Sequence, residues 1–197
     1  MNPEPRVDRI IATAFWRRLD SEGHDTCRLY QIADGWRLTG CAIFDLEGNP
    51  CLLNYTVDTD ARWRTISAGV SGAIGFEELR LEIEAVPGRG WLLNGVAQNF
   101  AGSPLDLDLG FTPATNLLAI RRLDPPLGSD TLAPAAYLAF PDLELRLLEQ
   151  TYRKTGNTTF AYAAPVYDYK AELTVSPSGF VIDYPGLWSG AVSANPG

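Results

Sequence analysis

The chain has 197 residues, 46% of them hydrophobic and 20% charged, a balance that excludes wholesale disorder and fits one ordinary domain spanning 1–197. Sixteen basic residues against 24 acidic ones leave a formal charge of −8 and a pI near 4.6. That argues against a nucleic-acid partner held by its phosphates and against stable association with an anionic membrane surface.

The N-terminal run MNPEPRVDRIIATAFWRRLD lacks a signal-peptide core, because its apolar stretch Ile10 to Trp16 contains Thr13 and closes on Arg17 and Arg18. No stretch approaches the roughly 20 apolar residues needed to span a bilayer. A cytoplasmic location is the resulting expectation. Cys27, Cys41 and Cys51 are odd in number and lack C-x-x-C spacing, so they read as small packed hydrophobes. One histidine, His24 in the turn-like run DSEGHD, cannot build a multi-histidine metal centre. Neither a metal nor a cofactor is expected. Arginine outnumbers lysine 14 to 2, which suits paired, partly buried carboxylates.

Along the chain, DGW at 34–36 reads as a tight turn or a bulge in an early hairpin, and LEGNP at 46–50 as a second turn. Asp58 and Asp60 fall where a strand runs into a turn and read as solvated carboxylates. The glycines of GVSGAIG mark a sharp strand bend or a close approach, since no βαβ unit follows them. Phe76 to Leu81 could begin as a turn of helix. Leu79, Leu81, Ile83 and Ala85 nevertheless alternate with Arg80, Glu82 and Glu84 as in a strand.

VPGRG at 86–90 is a further turn. Leu105, Leu107, Leu109 and Phe111 alternate with Asp106 and Asp108, and Leu143, Leu145 and Leu147 with Glu144 and Arg146. Between them, Pro125-Pro126 offers the one plausible break, although the residues beyond it read as only three or four strands. Pro134 to Ala139 is a second short helical candidate. KTGN at 154–157, the alternating run Tyr167 to Val175, and the turn SPSG at 176–179 complete the pattern. An all-β fold with little helix follows: an antiparallel meander of about ten or more strands, twisted strongly enough to curl. Closure into a single barrel or half-barrel would remove its edges.

Asp106 and Asp108 sit two apart on one strand, with carboxylates on one face about 7 Å apart. Such a pair can serve glycoside hydrolysis, contact a ligand, or form ion pairs with Arg121 and Arg122. Serine hydrolysis is disfavoured, because Ser67, Ser71 and Ser103 lie outside any G-x-S-x-G. Five tryptophans, eight tyrosines and eight phenylalanines either fill a core or line an interior groove, and spacing does not separate the two.

The block DLDLGFTPATNLLAIRRL at 106–123 resembles the signature of the bacterial "putative glycolipid-binding" family. W-R-T at 63–65, GRGWLLNG at 88–95, LEQTYRKTG at 148–156 and GFVIDYPGLW at 179–188 fall in the family's order. Two departures are Ser103-Pro104, where the family has a glycine-cysteine pair, and Ala119, where it has proline. The resemblance implies a spindle-like β-barrel similar to lipoprotein-carrier folds and an amphipathic small molecule or glycolipid as partner. It carries over Asp106, Asp108, Thr112, Pro113, Thr115, Asn116, Arg121, Arg122, Tyr152, Arg153, Asp183, Tyr184 and Pro185 as signature positions, with no catalytic residue among them. The leading expectation is ligand binding without catalysis, with Arg121 and Arg122 orienting a polar head group. A sugar hydrolase or isomerase using Asp106 and Asp108 is the alternative, and a filled-core structural domain the third.

Overall fold

A computed structural model describes residues 8–100 and 102–195. Eight strands joined by tight turns open the fold: β1 (Arg9–Arg18), β2 (Gly23–Ile32), β3 (Gly35–Leu46), β4 (Asn49–Asp60), β5 (Thr65–Ile74), β6 (Glu77–Val86), β7 (Gly90–Leu93) and β8 (Val96–Gln98). Each pairs antiparallel with the next. The turns fall where the sequence placed them. Glu47 and Gly48 both take positive φ, the backbone that the right-handed twist of a two-residue hairpin requires. At Gly72 a Cβ would run into the Leu52 carbonyl oxygen, so the glycine run on β5 marks close strand approach.

The second half is built differently. β9 (Asp106–Leu109) leads into α1 (Asn116–Leu123), and eight further strands follow. They are β10 (Asp130–Leu132), β11 (Ala135–Ala139), β12 (Glu144–Leu148), β13 (Thr151–Lys154), β14 (Thr159–Ala164), β15 (Tyr169–Val175), β16 (Val181–Tyr184) and β17 (Trp188–Ala194). The expected three or four strands are thus eight, several of them too short to display an alternating pattern. Both helical candidates are strand: Phe76 to Leu81 runs into β6, and Pro134 to Ala139 is β11.

Fourteen strands form one antiparallel sheet in the order β10-β13-β14-β15-β16-β17-β1-β2-β3-β4-β5-β6-β7-β8. β17 pairs with β1, so the two ends of the chain meet mid-sheet. The other three strands form a separate sheet, β12-β11-β9, in which β9 and β11 run parallel. This departs from the expected wholly antiparallel barrel. Neither sheet closes among the described residues, and the large one ends on three-residue strands, β10 and β8.

The large sheet still curls. Thr112 touches Tyr55 of β4, and four residues later Asn116 touches Tyr152 of β13. Those strands are eight places apart, about 38 Å in a flat sheet, so only a curl brings both to one short segment. What occupies the curl is the segment from β9 to β12. Leu107, Leu109, Phe111, Leu117, Leu118 and Leu138 are fully buried and share one apolar cluster with Trp16, Leu53 and Tyr55 of the large sheet and with Phe180, just before β16. Asn116 to Ile120 are all buried, so the first part of α1 is covered on every side, and only its last turn, at Arg121, is exposed. Ala119, at its middle, contributes its backbone and a small side chain to that packing.

Two indoles of the large sheet donate to distant backbone carbonyls. Trp16 Nε1 donates to the Val181 carbonyl at 2.6 Å, and Trp91 Nε1 to the Pro104 carbonyl at 3.0 Å. Where a cysteine was expected before the signature, Ser103-Pro104 thus supplies a carbonyl. No helix of the described residues is long and apolar enough to cross a membrane.

Candidate functional site

Several elements of the second half line an open-mouthed cavity of about 270 Å³. β9 brings Asp108, the start of α1 brings Asn116, and β14 to β16 bring Tyr162, Tyr169 and Tyr184. Tyr137 of β11 and Tyr167, from the 3-10 turn Pro165–Tyr167, close another side, and Leu187 and Trp188 add apolar wall. Gly110 makes room for this wall, because a Cβ there would lie 2.5 Å from the Tyr137 hydroxyl.

The tyrosines hold one another in place. Tyr162 has ring centroids 5.8 Å from Tyr184 and 6.1 Å from Tyr169, and Tyr137 lies 5.8 Å from Tyr167. Behind them Tyr152 packs 5.0 Å from Tyr162 and accepts a 2.8 Å bond from Asn116 Nδ2. Tyr162 donates to Gln150 Oε1 at 2.8 Å, and Tyr169 donates to the Pro185 carbonyl at 2.6 Å. Burial raises Tyr137, Tyr152, Tyr162 and Tyr184 well above the ordinary phenol range, so all four stay protonated at neutral pH.

Asp108 is the one acid in this wall. It is half-buried and lines the cavity. Its protein hydrogen bond is a long one, 3.4 Å from Thr115 Oγ1. Burial pushes its pKa up to about 7; the Thr115 hydroxyl opposes the rise and the Asp106 charge adds to it. Among the described residues no cation lies within ion-pair distance of it. Asp106, on the same strand, is tied off: Arg122 Nε and Nη2 each donate to it at 2.7 Å. Burial raises the Asp106 carboxyl, against the pull of the Arg122 fork.

A second buried acid was not legible in the sequence. Asp25, on β2 and 1% exposed, accepts from Tyr55 Oη at 3.0 Å and from Thr112 Oγ1. Burial lifts it to about 7, against those two hydroxyls. Thr112 also accepts from Ala114 N at 3.0 Å, so it pins the loop before α1 to β2 and β4 while facing the cavity. The turn-like look of DSEGHD hid this acid. The available signal was that Asp25 shares the inward face of β2 with Cys27 and Leu29. His24 points outward and stacks on Phe15 at 5.2 Å.

Of the residues singled out beforehand, Asp108, Thr112, Asn116 and Tyr184 line this cavity. Tyr152 lies behind the wall, and Asp106 and Arg122 pair beside it. Pro113 and Thr115 are buried in the loop and cap before α1. Arg121 does not pair with an aspartate. It faces a different cavity, its guanidinium 5.3 Å from the Trp63 ring. Arg153 is exposed and 3.7 Å from Asp130, and Asp183 is exposed on β16. Asp58 and Asp60 are engaged rather than merely solvated: Asp58 takes two bonds from Arg37 at 2.6 and 2.7 Å, and Asp60 accepts from Arg64 Nε at 2.7 Å. Tyr137, Tyr162, Tyr167 and Tyr169 were missed, because no spacing rule tells a lining ring from a core ring. Among the described residues no cluster of histidine, cysteine and carboxylate could hold a metal ion.

The chain is similar to a solved structure, the crystal structure of a DUF1089 family protein from Pseudomonas aeruginosa. The two share 29% identity and superpose with a TM-score of 0.73, over 84% of this chain and 91% of that one. No curated protein matches the chain. The profile of the family described as "Putative glycolipid-binding" matches residues 13–190, across both sheets and the tyrosine-lined cavity, and the chain belongs to that family.

Proposed function

We propose that the chain binds an amphipathic ligand, a glycolipid, without catalysis, and seats its sugar in the tyrosine-lined cavity. The observation that carries this reading is Asp108, a carboxylate on the wall of a tyrosine-lined cavity with no cation to neutralise it. Sugar hydroxyls are donors suited to such an acceptor, and the apolar faces of a sugar stack on tyrosine rings. The Tyr162 and Tyr169 hydroxyls, whose protons go to Gln150 and the Pro185 carbonyl, can accept from sugar hydroxyls. At about 270 Å³ the space lies just under the range of roughly 300–1,000 Å³ usual for small-molecule sites, which suits a sugar-sized group and leaves the acyl part outside it. Three free thiols fit a reducing, cytoplasmic setting, where the acidic surface favours brief contact with membranes over residence.

Calorimetric titration with alkyl glycosides below micelle formation tests the reading. Saturable binding is expected, weaker for the free sugar, absent for the matching alkyl alcohol, and reduced at least about tenfold by Asp108→Asn. Equal binding by Asp108→Asn, or none by wild type, rejects it.

The raised Asp108 favours one other reading, general acid–base work on a sugar, since a carboxyl near 7 exchanges protons at neutral pH. Its expected partner Asp106 is bound by Arg122, so a two-carboxylate hydrolysis lacks its second member. Turnover of nitrophenyl glycosides that disappears in Asp108→Asn would establish this alternative, and no turnover by wild type would remove it.

A further inference from the structure

A second cavity, about 370 Å³, lies at the other end of α1. Its chemistry is opposite to that of the tyrosine cavity. Arg121 and Lys154 line it, together with the polar residues Asn157, Thr158 and Ser176. One acid, Asp124, is present, with Oδ1 3.5 Å from Lys154 Nζ. In a chain of net charge −8, two cations against one acid in a concave site are a local reversal.

The arginine is held in place. Its guanidinium lies over Trp63, which stacks on Trp36 at 4.4 Å and 9° between planes. Its stem runs along Gly179, where a Cβ would come within 2.8 Å of Arg121 Cδ. No carboxylate of the described residues pairs with it. An arginine in a last helical turn offsets the carbonyl ends of the helix wherever it points. That role does not account for Trp63. This bulky residue is held at φ +66°, in the left-handed region that a side chain of its size rarely adopts. Asp60 maintains it: Oδ1 accepts from Arg62 N at 2.8 Å and Arg64 N at 2.9 Å, and its carbonyl from Trp63 N at 3.0 Å. The strain sets an indole face beneath a guanidinium whose N–H edges remain free.

We propose that this cavity is a second ligand site that binds a phosphoryl group, with Arg121 as its fork and Lys154 as a second charge. A planar fork matches two phosphoryl oxygens, and the stack on Trp63 removes the ordering cost of a long side chain before the ligand arrives. The site stands apart from the proposed sugar cavity and does not depend on it.

The test titrates the full chain with inorganic phosphate, and separately with phosphatidylcholine vesicles with and without phosphatidic acid, following tryptophan fluorescence. Saturable binding of phosphate is expected. Arg121→Ala and Arg121→Lys should each weaken it at least about tenfold at unchanged melting temperature, and Asp108→Asn should leave it intact. Phosphate binding without vesicle binding assigns a soluble phosphate or phosphate ester; binding to phosphatidic acid vesicles and not to phosphatidylcholine alone, with the same loss in both variants, assigns a lipid head group. Unchanged affinity in both arginine variants, or no saturable binding to any probe, overturns the proposal.

Discussion

The two ends of α1 leave opposite charges unpaired. Before its start, half-buried Asp108 faces a tyrosine-lined cavity with no cation to meet it. In its last turn, exposed Arg121 faces another cavity, and no carboxylate of the described residues pairs with it. Between them, Asp106 and Arg122 form the pair that neither end makes, with two 2.7 Å bonds. On the proposed reading, the contrast separates structure from function within one signature block. Charges that satisfy each other hold the fold, and charges left facing a cavity are the ones proposed to meet a ligand.

Breaking the pair should give the largest effect. Arg122→Ala leaves Asp106 buried and alone, and a loss of about 3–5 kcal/mol is expected in denaturant unfolding at neutral pH. Adding Asp106→Asn should restore part of it. No loss in the single variant would mean that the pair is not structural.

Thr112→Val is expected to cost about 1–3 kcal/mol, because Asp25, Tyr55 and the Ala114 amide all lose a partner. The same variant should loosen the loop before α1, visible as faster amide exchange there. Unchanged exchange and stability would show that the contact to Asp25 is incidental.

Asp108 should behave in the opposite sense. Asp25 and Asp108 are both raised to about 7 from an ordinary 3.8, so between about pH 4 and 7 the folded chain holds more protons than the unfolded one. Stability therefore falls as pH rises through that window and levels off above it. Asp108→Asn should flatten the fall and stabilise the protein at pH 8, on the order of 2 kcal/mol once the opening of Asp108 to the cavity is allowed for. A stability gain at a binding residue is the signature of a site held for function. An unaltered pH profile would place Asp108 in an ordinary solvated setting.

Arg153→Ala should give the smallest effect, within about 0.5 kcal/mol and with no change in alkyl glycoside binding, since Arg153 is exposed and 3.7 Å from Asp130. A clear loss of binding would move the sugar site outward along β13.

In the first half the turns were legible from their own chemistry, as at Glu47-Gly48 and VPGRG, and β6 from its alternation. In the second half β12 and β15 were legible from alternation, and most of the rest was not, for a physical reason. Leu117 to Ile120 are buried on all sides of α1 and show no helical stripe. Asp106 and Asp108 lie on a strand whose charged face is also enclosed, so alternation there did not mean one wet face. Strands of three to five residues, such as β10 and β13, are too short for a period to emerge. Part of the site was readable from the signature, because its polar positions gather around α1. Its tyrosines arrive from β11, β14, β15, β16 and a 3-10 turn, and only the curl of the sheet brings them together.

The most direct test purifies wild-type protein and Asp108→Asn in parallel from the native host and compares what each retains by native mass spectrometry and lipid extraction. About one equivalent of a sugar-bearing amphiphile is expected on wild type, and less than about a tenth of that on a variant at least as stable. Equal retention by the two proteins would contradict the assignment of the tyrosine-lined cavity, and a retained amphiphile without a sugar would contradict the ligand class.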